Sequence, residues 1–590
     1  MSDFNDEVFR NTFRHTSSHI LAHAVKRLYP ETRLAIGPAI ENGFYYDFDR
    51  DEPFTQEDLA KIEDEMKKIV REHLPVERFE LAREQARLMM QENGESYKVE
   101  LIDDLPADAR LSFYQQGDFV DLCVGPHLDN TGEIKAFKLT QVAGAYWRGS
   151  EKNKMLQRIY GTSFPDKLQL KEYLDKQEEA RKRDHNKIGR ELGFFTTADY
   201  IGQGLPILLP KGARVVQLLQ RFVEDEEEKR GYLLTKTPFM AKSDLYKISG
   251  HWDHYRDGMF ILGDPAKADA EEVLALRPMT CPFQFQAFLT KTRSYRDLPL
   301  RYGETATLFR NESSGEMHGL IRIRQFTISE GHLVCAPDQL EDEFRGCVDL
   351  ASFMLQATGL DEDVSFRFST WDPANQAKYI GSPDQWDDVQ DTMKEILDHM
   401  KLDYQTAPGE AAFYGPKLDI QIRNVFGKED TLITIQIDFQ LAERFGMEYT
   451  DREGLKQHPF IIHRTSIGCY ERTLALLIEK YAGAMPLWIA PEQARILPIS
   501  SRHLDDAVKL AVRLRQQGLR VDIDSRDEKI GKKIREAQMD KLQYMLILGD
   551  QEIEQGTLSV RSRLDGELGS MTFDSLVSRM AEEIAARRHA

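Results

Sequence analysis

Apolar and polar positions change period several times along the chain, and each change predicts an element. In NTFRHTSSHILAHAVKRL, His15, His19 and His23 fall at i, i+4 and i+8, along one face of a helix starting near Thr12, next to apolar Ile20, Leu21 and Val25. LAIGPAIENGFYYDFD then alternates and turns like a hairpin, with Asn42 and Gly43 as the turn signal. Two helical stretches, the glycine-bearing DFVDLCVGPHLDNTG and the aromatic GAYWRG complete an expected α+β domain over residues 1–165. Residues 166–192 are almost continuously polar with apolar positions at helical spacing, as in an exposed linker helix. From 193 to 488, FRFSTW, KLDIQIRN and TLITIQIDF alternate with period two between helices, which predicts an antiparallel sheet flanked by helices. In residues 489–590 strands and helices alternate, the pattern of a small α/β domain.

Composition narrows the class. With 590 residues, 41% hydrophobic and 30% charged, the chain predicts several globular domains and excludes a disordered protein. No apolar run approaches the roughly 18–20 residues of a membrane-spanning helix, and the acidic start MSDFNDEVFRNTFRH has no signal core, so no membrane partner and a cytoplasmic location are expected. Five cysteines, at 123, 281, 335, 347 and 469, are odd in number and scattered, so a special cysteine is expected to be a ligand or nucleophile. The net charge of −20 argues against indiscriminate nucleic-acid binding. Residues 491–590 hold 17 basic and 17 acidic side chains, however, so the whole excess lies before them and discrete RNA contacts remain open in the last domain.

Three segments carry the chemistry. LFRNESSGEMHGLIRIRQF places Arg310, Glu312, Arg322 and Arg324 within fifteen residues on an expected strand, turn and strand. Taken alone this is a salt-bridged hairpin, yet arginines held on a rigid element also match phosphate oxygens. IIHRTSIGCYERTLALLIEKY sets a glycine between an apolar strand and a helix, with Arg472 near the helix N-terminus, where dipole and guanidinium both favour phosphate. TKTPFM places Pro238 after a long helix. In this order the three resemble motifs 2, 3 and 1 of the class II aminoacyl-tRNA synthetases. RHTSSHILAHAVK, GESYKVE, VDLCVGPH, GAYWRG, GHWDHY, MTCPF, SYRDLPLR and AAFYGPKLDIQI narrow the resemblance to the threonyl-tRNA synthetases over essentially the whole chain.

The resemblance implies an α+β multidomain fold: an editing domain, a class II catalytic core and an anticodon-binding domain. It implies activation of threonine with ATP, transfer to tRNA(Thr), and hydrolysis of mischarged Ser-tRNA(Thr). One zinc ion per chain is implied at Cys281, His332 and His463, ligands 51 and 131 residues apart whose separations alone would not reveal a site. Three protein ligands leave room for the amino and hydroxyl groups of threonine, and valine has no hydroxyl to offer. Serine does, and the missing methyl is worth only about 1–3 kcal/mol, hence the need for editing. His15, His19, Lys98, Asp121, Cys123 and His127 match the family's editing residues. Their HxxxH and CxxxH spacings also suit zinc, although metal-free positioning of water is the favoured reading.

For the remaining substrates the resemblance implies that Arg310 holds the α-phosphate of ATP, bound with Mg²⁺, while Glu312 and Phe326 meet the adenine. Arg322 and Arg472 take the tail phosphates; Met279, Glu330, Tyr414 and Gln436 surround threonine; His251 serves transfer to the ribose. Glu554, Arg561 and Arg563 match the anticodon-reading region, where a charged exposed strand is the alternative. A homodimer is implied, and a form without the family's N-terminal ubiquitin-like domain is expected. The chain departs from the usual family pattern at Ile328, Glu330, Gly331, Phe283, Gln284 and Thr431. Those departures keep two alternatives open: a synthetase-like RNA-binding regulator, and an enzyme for another small amino acid.

Overall fold

The computed structural model describes residues 4–106, 108–150, 152–269 and 272–588. It divides into two compact units, residues 1–179 and 180–590. In the first, the helix Glu7–Leu28 begins ahead of Thr12 because Asp6 caps it, accepting from the Phe9 amide at 3.0 Å. That helix and Gln56–Arg71 bury Ile20, Leu21, Val25, Ile62 and Ile69 in one core with Phe44 and Phe48 of a five-stranded sheet. Val76–Ala82, Arg110–Gln116 and Phe119–Leu122 form a second, antiparallel sheet. The expected hairpin is present, but Ile40 pairs with Gly43, so Glu41 and Asn42 make the turn and Gly43 opens the strand. Gly43 is required by crowding: a Cβ there would stand 2.2 Å from the Gly161 carbonyl oxygen.

Residues 166–192 fold as two helices, Lys167–Arg183 and His185–Glu191, broken where the Asp184 side chain caps the second by accepting from the Asn186 amide. In the second unit an eight-stranded sheet runs in the order Leu233–Leu234, Leu300–Phe309, Gln325–Cys335, Phe460–Cys469, Glu429–Asp438, Lys417–Arg423, Val364–Thr370, Tyr404–Pro408. It is antiparallel except at its two edge pairs. Helices Leu340–Thr358 and Tyr470–Lys480 bury Phe344, Leu350, Leu474 and Leu477 with sheet residues Ile433, Ile435 and Ile462. The last hundred residues fold around a mixed sheet in the order Val521–Ile523, Ala494–Pro498, Tyr544–Leu548, Thr557–Ser562, Gly566–Thr572, whose first three strands are parallel. Among the described residues, no helix is long and apolar enough to cross a membrane.

Candidate active site

Strand pairing assembles the centre of the second unit. The register of Gln325–Cys335 on Phe460–Cys469 sets His332 directly opposite His463, with ring centroids 4.6 Å apart. On its other side His463 faces Gln436. Cys281 opens the helix Cys281–Phe288, and its sulfur and one nitrogen of each histidine lie within 4.8 Å of one another. Each ring has one nitrogen held: His332 Nδ1 by Gln284 Oε1 at 2.5 Å, His463 Nε2 by Asp438 Oδ2 at 2.9 Å. Asp438 is itself locked, its Oδ1 accepting from the Gln440 and Leu441 amides. His332 Nε2 is buried with no hydrogen-bond partner among the described residues, so one thiol and two oriented imidazoles converge as a zinc donor set does. Burial, with Glu330 and Asp438 nearby, pushes the Cys281 thiol well up, a state that a bound cation reverses. The three residues fit the zinc ion that the family resemblance implies.

A cavity of about 360 Å³ runs from Cys281 and His463 to the arginines. Met279, Arg310, Glu312, Arg322, Phe326, Glu330, Tyr414, Gln436 and Arg472 all line it. The arginine segment departs from its expected geometry. The strand ends at Phe309 and its return begins at Gln325, so Arg310, Glu312, Arg322 and Arg324 belong to the connecting loop rather than to strand faces. Loop contacts hold it instead. The Arg310 amide donates to the Arg324 carbonyl at 2.8 Å, and the Arg310 guanidinium stands 5.2 Å over the Phe326 ring. Arg322 pairs with Glu312 at 2.8 Å and Glu316 at 3.1 Å. Arg472, third in the helix Tyr470–Lys480, donates from Nε to the Ile321 carbonyl at 2.9 Å and from Nη1 to the Thr431 carbonyl.

The unusual pocket residues have structural partners. Ile328 packs with Ala306, Leu308, Phe326 and Cys469, forming an apolar wall of the cavity. A β-bulge between Ile328 and Glu330 re-aims the latter. Its Oε2 accepts from the Thr280 amide at 3.0 Å and the Thr280 hydroxyl at 2.6 Å, while Oε1 lies 4.0 Å from His332 Nε2. Burial raises this carboxyl above its ordinary range, opposed by Thr280. Gly331 makes room: a Cβ there would stand 2.6 Å from the buried Arg464 guanidinium. Thr431 accepts from Gln421 at 2.7 Å. Tyr414 donates to Gln436 at 2.6 Å. His251 is buried beside Phe413 and Tyr414, with Nδ1 2.8 Å from Ser249 Oγ, and burial, then His463, pulls its pKa down to about 3.

In the first unit all six expected editing residues converge. Cys123 Sγ lies 3.3 Å from His15 Nε2 and 3.2 Å from His127 Nε2, and the His127 ring is 4.1 Å from that of His19. Lys98 pairs with Asp121 at 2.6 Å, both buried, and Asp121 lies 3.6 Å from His19 Nε2. His15, His19, Cys123 and His127 also satisfy the distance expected of metal ligands, within 4.8 Å. Burial lowers all three histidines and pushes the Cys123 thiol up to about 11, so the site holds neutral imidazoles and a neutral thiol around a fixed ion pair. His23, on the same helix face, leaves the group and pairs with Asp118 at 2.9 Å.

Of the three residues expected to read an anticodon, Glu554 is exposed on the helix Asp550–Gln555 and Arg561 pairs with Glu567 across two strands. Arg563 is turned inward, because its guanidinium donates to the Lys541 carbonyl at 2.8 Å and the Ala484 carbonyl at 3.0 Å. Burial holds its pKa near 10. Sequence reading missed Tyr46, which donates to Asp121 at 2.5 Å, and Asp438, which holds His463. Tyr46 lies in LAIGPAIENGFYYDFD and Asp438 in TLITIQIDF, segments whose period showed a hairpin and a strand but not these contacts. Gln284 was visible only as a departure three residues after Cys281.

Comparison with known proteins gives the family. Residues 265–481 match the family described as the tRNA synthetase class II core domain (G, H, P, S and T), 493–583 the anticodon binding domain, and 111–160 the threonyl and alanyl tRNA synthetase second additional domain. The chain is 60% identical over 586 residues to the threonine–tRNA ligase of Clostridium perfringens, covering 99% of this chain and 90% of that one. It is 48% identical to that of Halalkalibacterium halodurans, covering 97% and 88%. The crystal structure of the RNA binding domain of threonyl-tRNA synthetase from Cryptosporidium parvum Iowa II superposes with a TM-score of 0.63 at 32% identity, covering 68% of this chain and 98% of that one. An arginine-lined cavity ending at Cys281 and His463, together with identity along nearly the whole length, places the chain in the threonine–tRNA ligase family of class II aminoacyl-tRNA synthetases.

Proposed function

We propose that threonine is activated in the cavity between Cys281 and Arg472, within an enzyme that joins threonine to tRNA(Thr) with ATP and hydrolyses Ser-tRNA(Thr) in its first unit. The observation that carries this reading is that Cys281 and His463, grouped with the buried His332, line the same cavity as Arg310, Arg322 and Arg472. Cys281, His332 and His463 would hold a zinc ion, which when bound would offer open coordination to the amino and hydroxyl groups of threonine together, a pair of donors that valine lacks. Tyr414 and Gln436, hydrogen-bonded to each other, orient the amino acid, and Glu330 sets Thr280 against it. Arg310 and Arg472 hold the phosphates of ATP, bound with Mg²⁺, so that the threonine carboxylate meets the α-phosphorus in line. Arg322 exchanges its Glu312 partner for phosphate, which frees Glu312 to accept from the adenine amino group.

Serine passes the first site because its hydroxyl is present. In the editing site the neutral histidines can accept a proton from water, while Lys98 and Asp121 supply fixed charges to place it. Tyr46 fixes Asp121. His251 serves transfer to the terminal ribose, and Glu554 and Arg561 meet the anticodon. A homodimer in the cytoplasm is the working form. The test is threonine-dependent exchange of pyrophosphate into ATP, with serine and valine beside it and zinc measured per chain. Exchange that follows valine as well as threonine refutes the assignment.

A further inference from the structure

His185 and Glu479 form a buried pair that none of the steps above uses. His185 opens the helix His185–Glu191 and is 0% exposed; Glu479 is 2% exposed. His185 Nδ1 lies 2.7 Å from Glu479 Oε1, and the Leu320 amide donates to His185 Nε2 at 3.3 Å. An amide can only donate, so Nε2 carries the lone pair and Nδ1–H donates to the carboxylate. Asp184, His185 and Glu479 have oxygen or nitrogen atoms within 4.8 Å of one another, but with both ring nitrogens engaged the histidine has none to give a metal.

Leu320 precedes Ile321, whose carbonyl accepts from Arg472 Nε at 2.9 Å, and Ile321 precedes Arg322. Glu479 lies two turns after Arg472 on the helix Tyr470–Lys480, on the same face. The contacts therefore close a ring: Arg472 to the loop, the loop to His185, His185 to Glu479, and Glu479 through its helix back to Arg472. The loop is seated tightly on the imidazole. Gly319 has φ +51°, and a Cβ there would stand 2.1 Å from His185 Nε2.

We propose that His185, oriented by Glu479, is a positioning residue for the nucleotide half of the site, setting the loop that carries Arg322 against Arg472. This rests on the reading of Arg322 and Arg472 as phosphate ligands. In His185→Asn the amide reproduces the Nδ1 contact to Glu479 and loses the acceptor for Leu320; in His185→Gln the side-chain oxygen reaches the Nε2 position and keeps it. Pyrophosphate exchange on the full chain should show the ATP KM of His185→Asn raised about five- to tenfold, as loss of one buried hydrogen bond brings. The threonine KM should stay within about twofold, and His185→Gln should recover most of the loss. Gly319→Ala, which pushes the loop off the ring, should raise the ATP KM likewise, and the double variant with His185→Asn should be no worse than the poorer single one. Equal effects of Asn and Gln, or additive effects of the two sites, overturn the proposal. If His185→Asn does not fold, an unchanged ATP KM in Gly319→Ala overturns it. Arg472→Ala is the reference. If it impairs ATP use while the other variants do not, positioning by His185 alone fails; if it leaves ATP use intact, the phosphate reading fails and takes the proposal with it.

Discussion

Gln284 accepts a hydrogen bond from His332 Nδ1 at 2.5 Å and donates through its amide nitrogen to Thr235 Oγ1 at 2.7 Å, so the orientation of one candidate zinc ligand is set from the strand-side core. The contact directs the protonated nitrogen of His332 away from Cys281 and leaves Nε2 free. Gln284→Leu is expected to weaken zinc binding about 10–100-fold. Chelator competition followed by zinc analysis measures this. Retention of zinc at wild-type affinity would show that Gln284 serves only the packing around it.

Removal of a ligand should have a larger effect. Cys281→Ser or His332→Ala is expected to abolish threonine activation with loss of about one zinc per chain, because two remaining ligands do not hold the ion. Metal analysis beside adenylate formation tests this. Full activity in a metal-free variant refutes the assignment.

Editing and synthesis use different units, so they should separate. His19→Ala or Cys123→Ala is expected to let Ser-tRNA accumulate while threonylation stays near wild type. Deacylation of preformed Ser-tRNA is the measurement, and unchanged hydrolysis in both variants would reduce the cluster to helix packing.

Glu330 holds Thr280 by two hydrogen bonds, next to the candidate ligand Cys281. Glu330→Gln loses a charge-assisted acceptor and is expected to weaken threonine activation by about 1.5–3 kcal/mol. Pyrophosphate exchange across threonine concentrations, with serine and valine in parallel, reads the effect. A variant equal to wild type would show that the carboxylate faces away from the amino-acid pocket.

Burial holds His15, His19 and His127 below their ordinary value of 6.5. As pH falls through 6.5 the unfolded chain takes up protons that the folded first unit does not. The stability of that unit is therefore complete above 6.5 and declines below it, by up to about 1.4 kcal/mol per pH unit for each histidine. Urea unfolding at about pH 7.5, 6.5 and 5.5 should show the decline, with a shallower slope in His127→Asn. Equal slopes would mean that His127 protonates in the folded state.

Local sequence determined the helix carrying His15 and His19, the period-two strands of the central sheet, the mixed α/β end of the chain and the candidate ligands named by family motifs. These follow from near neighbours: side-chain periodicity, turn residues and motif spacing are written within a few residues. Tertiary structure alone decided that the hairpin turns at Glu41 and Asn42, since backbone crowding at Gly161 places Gly43 in the strand. It also moved Arg310 and Arg322 into a loop, where amide contacts and ion pairs replace strand alternation. Arg563, legible as a charged surface residue, is turned inward by two carbonyls that come from distant segments. His332 and His463 are 131 residues apart and become neighbours only through strand register. Gln284 stands in the helix of Cys281 and Asp438 in the strand of Gln436, yet their contacts to His332 and His463, like that of Tyr46 to Asp121, were not legible, because a hydrogen bond between distant segments is set by packing and not by local pattern.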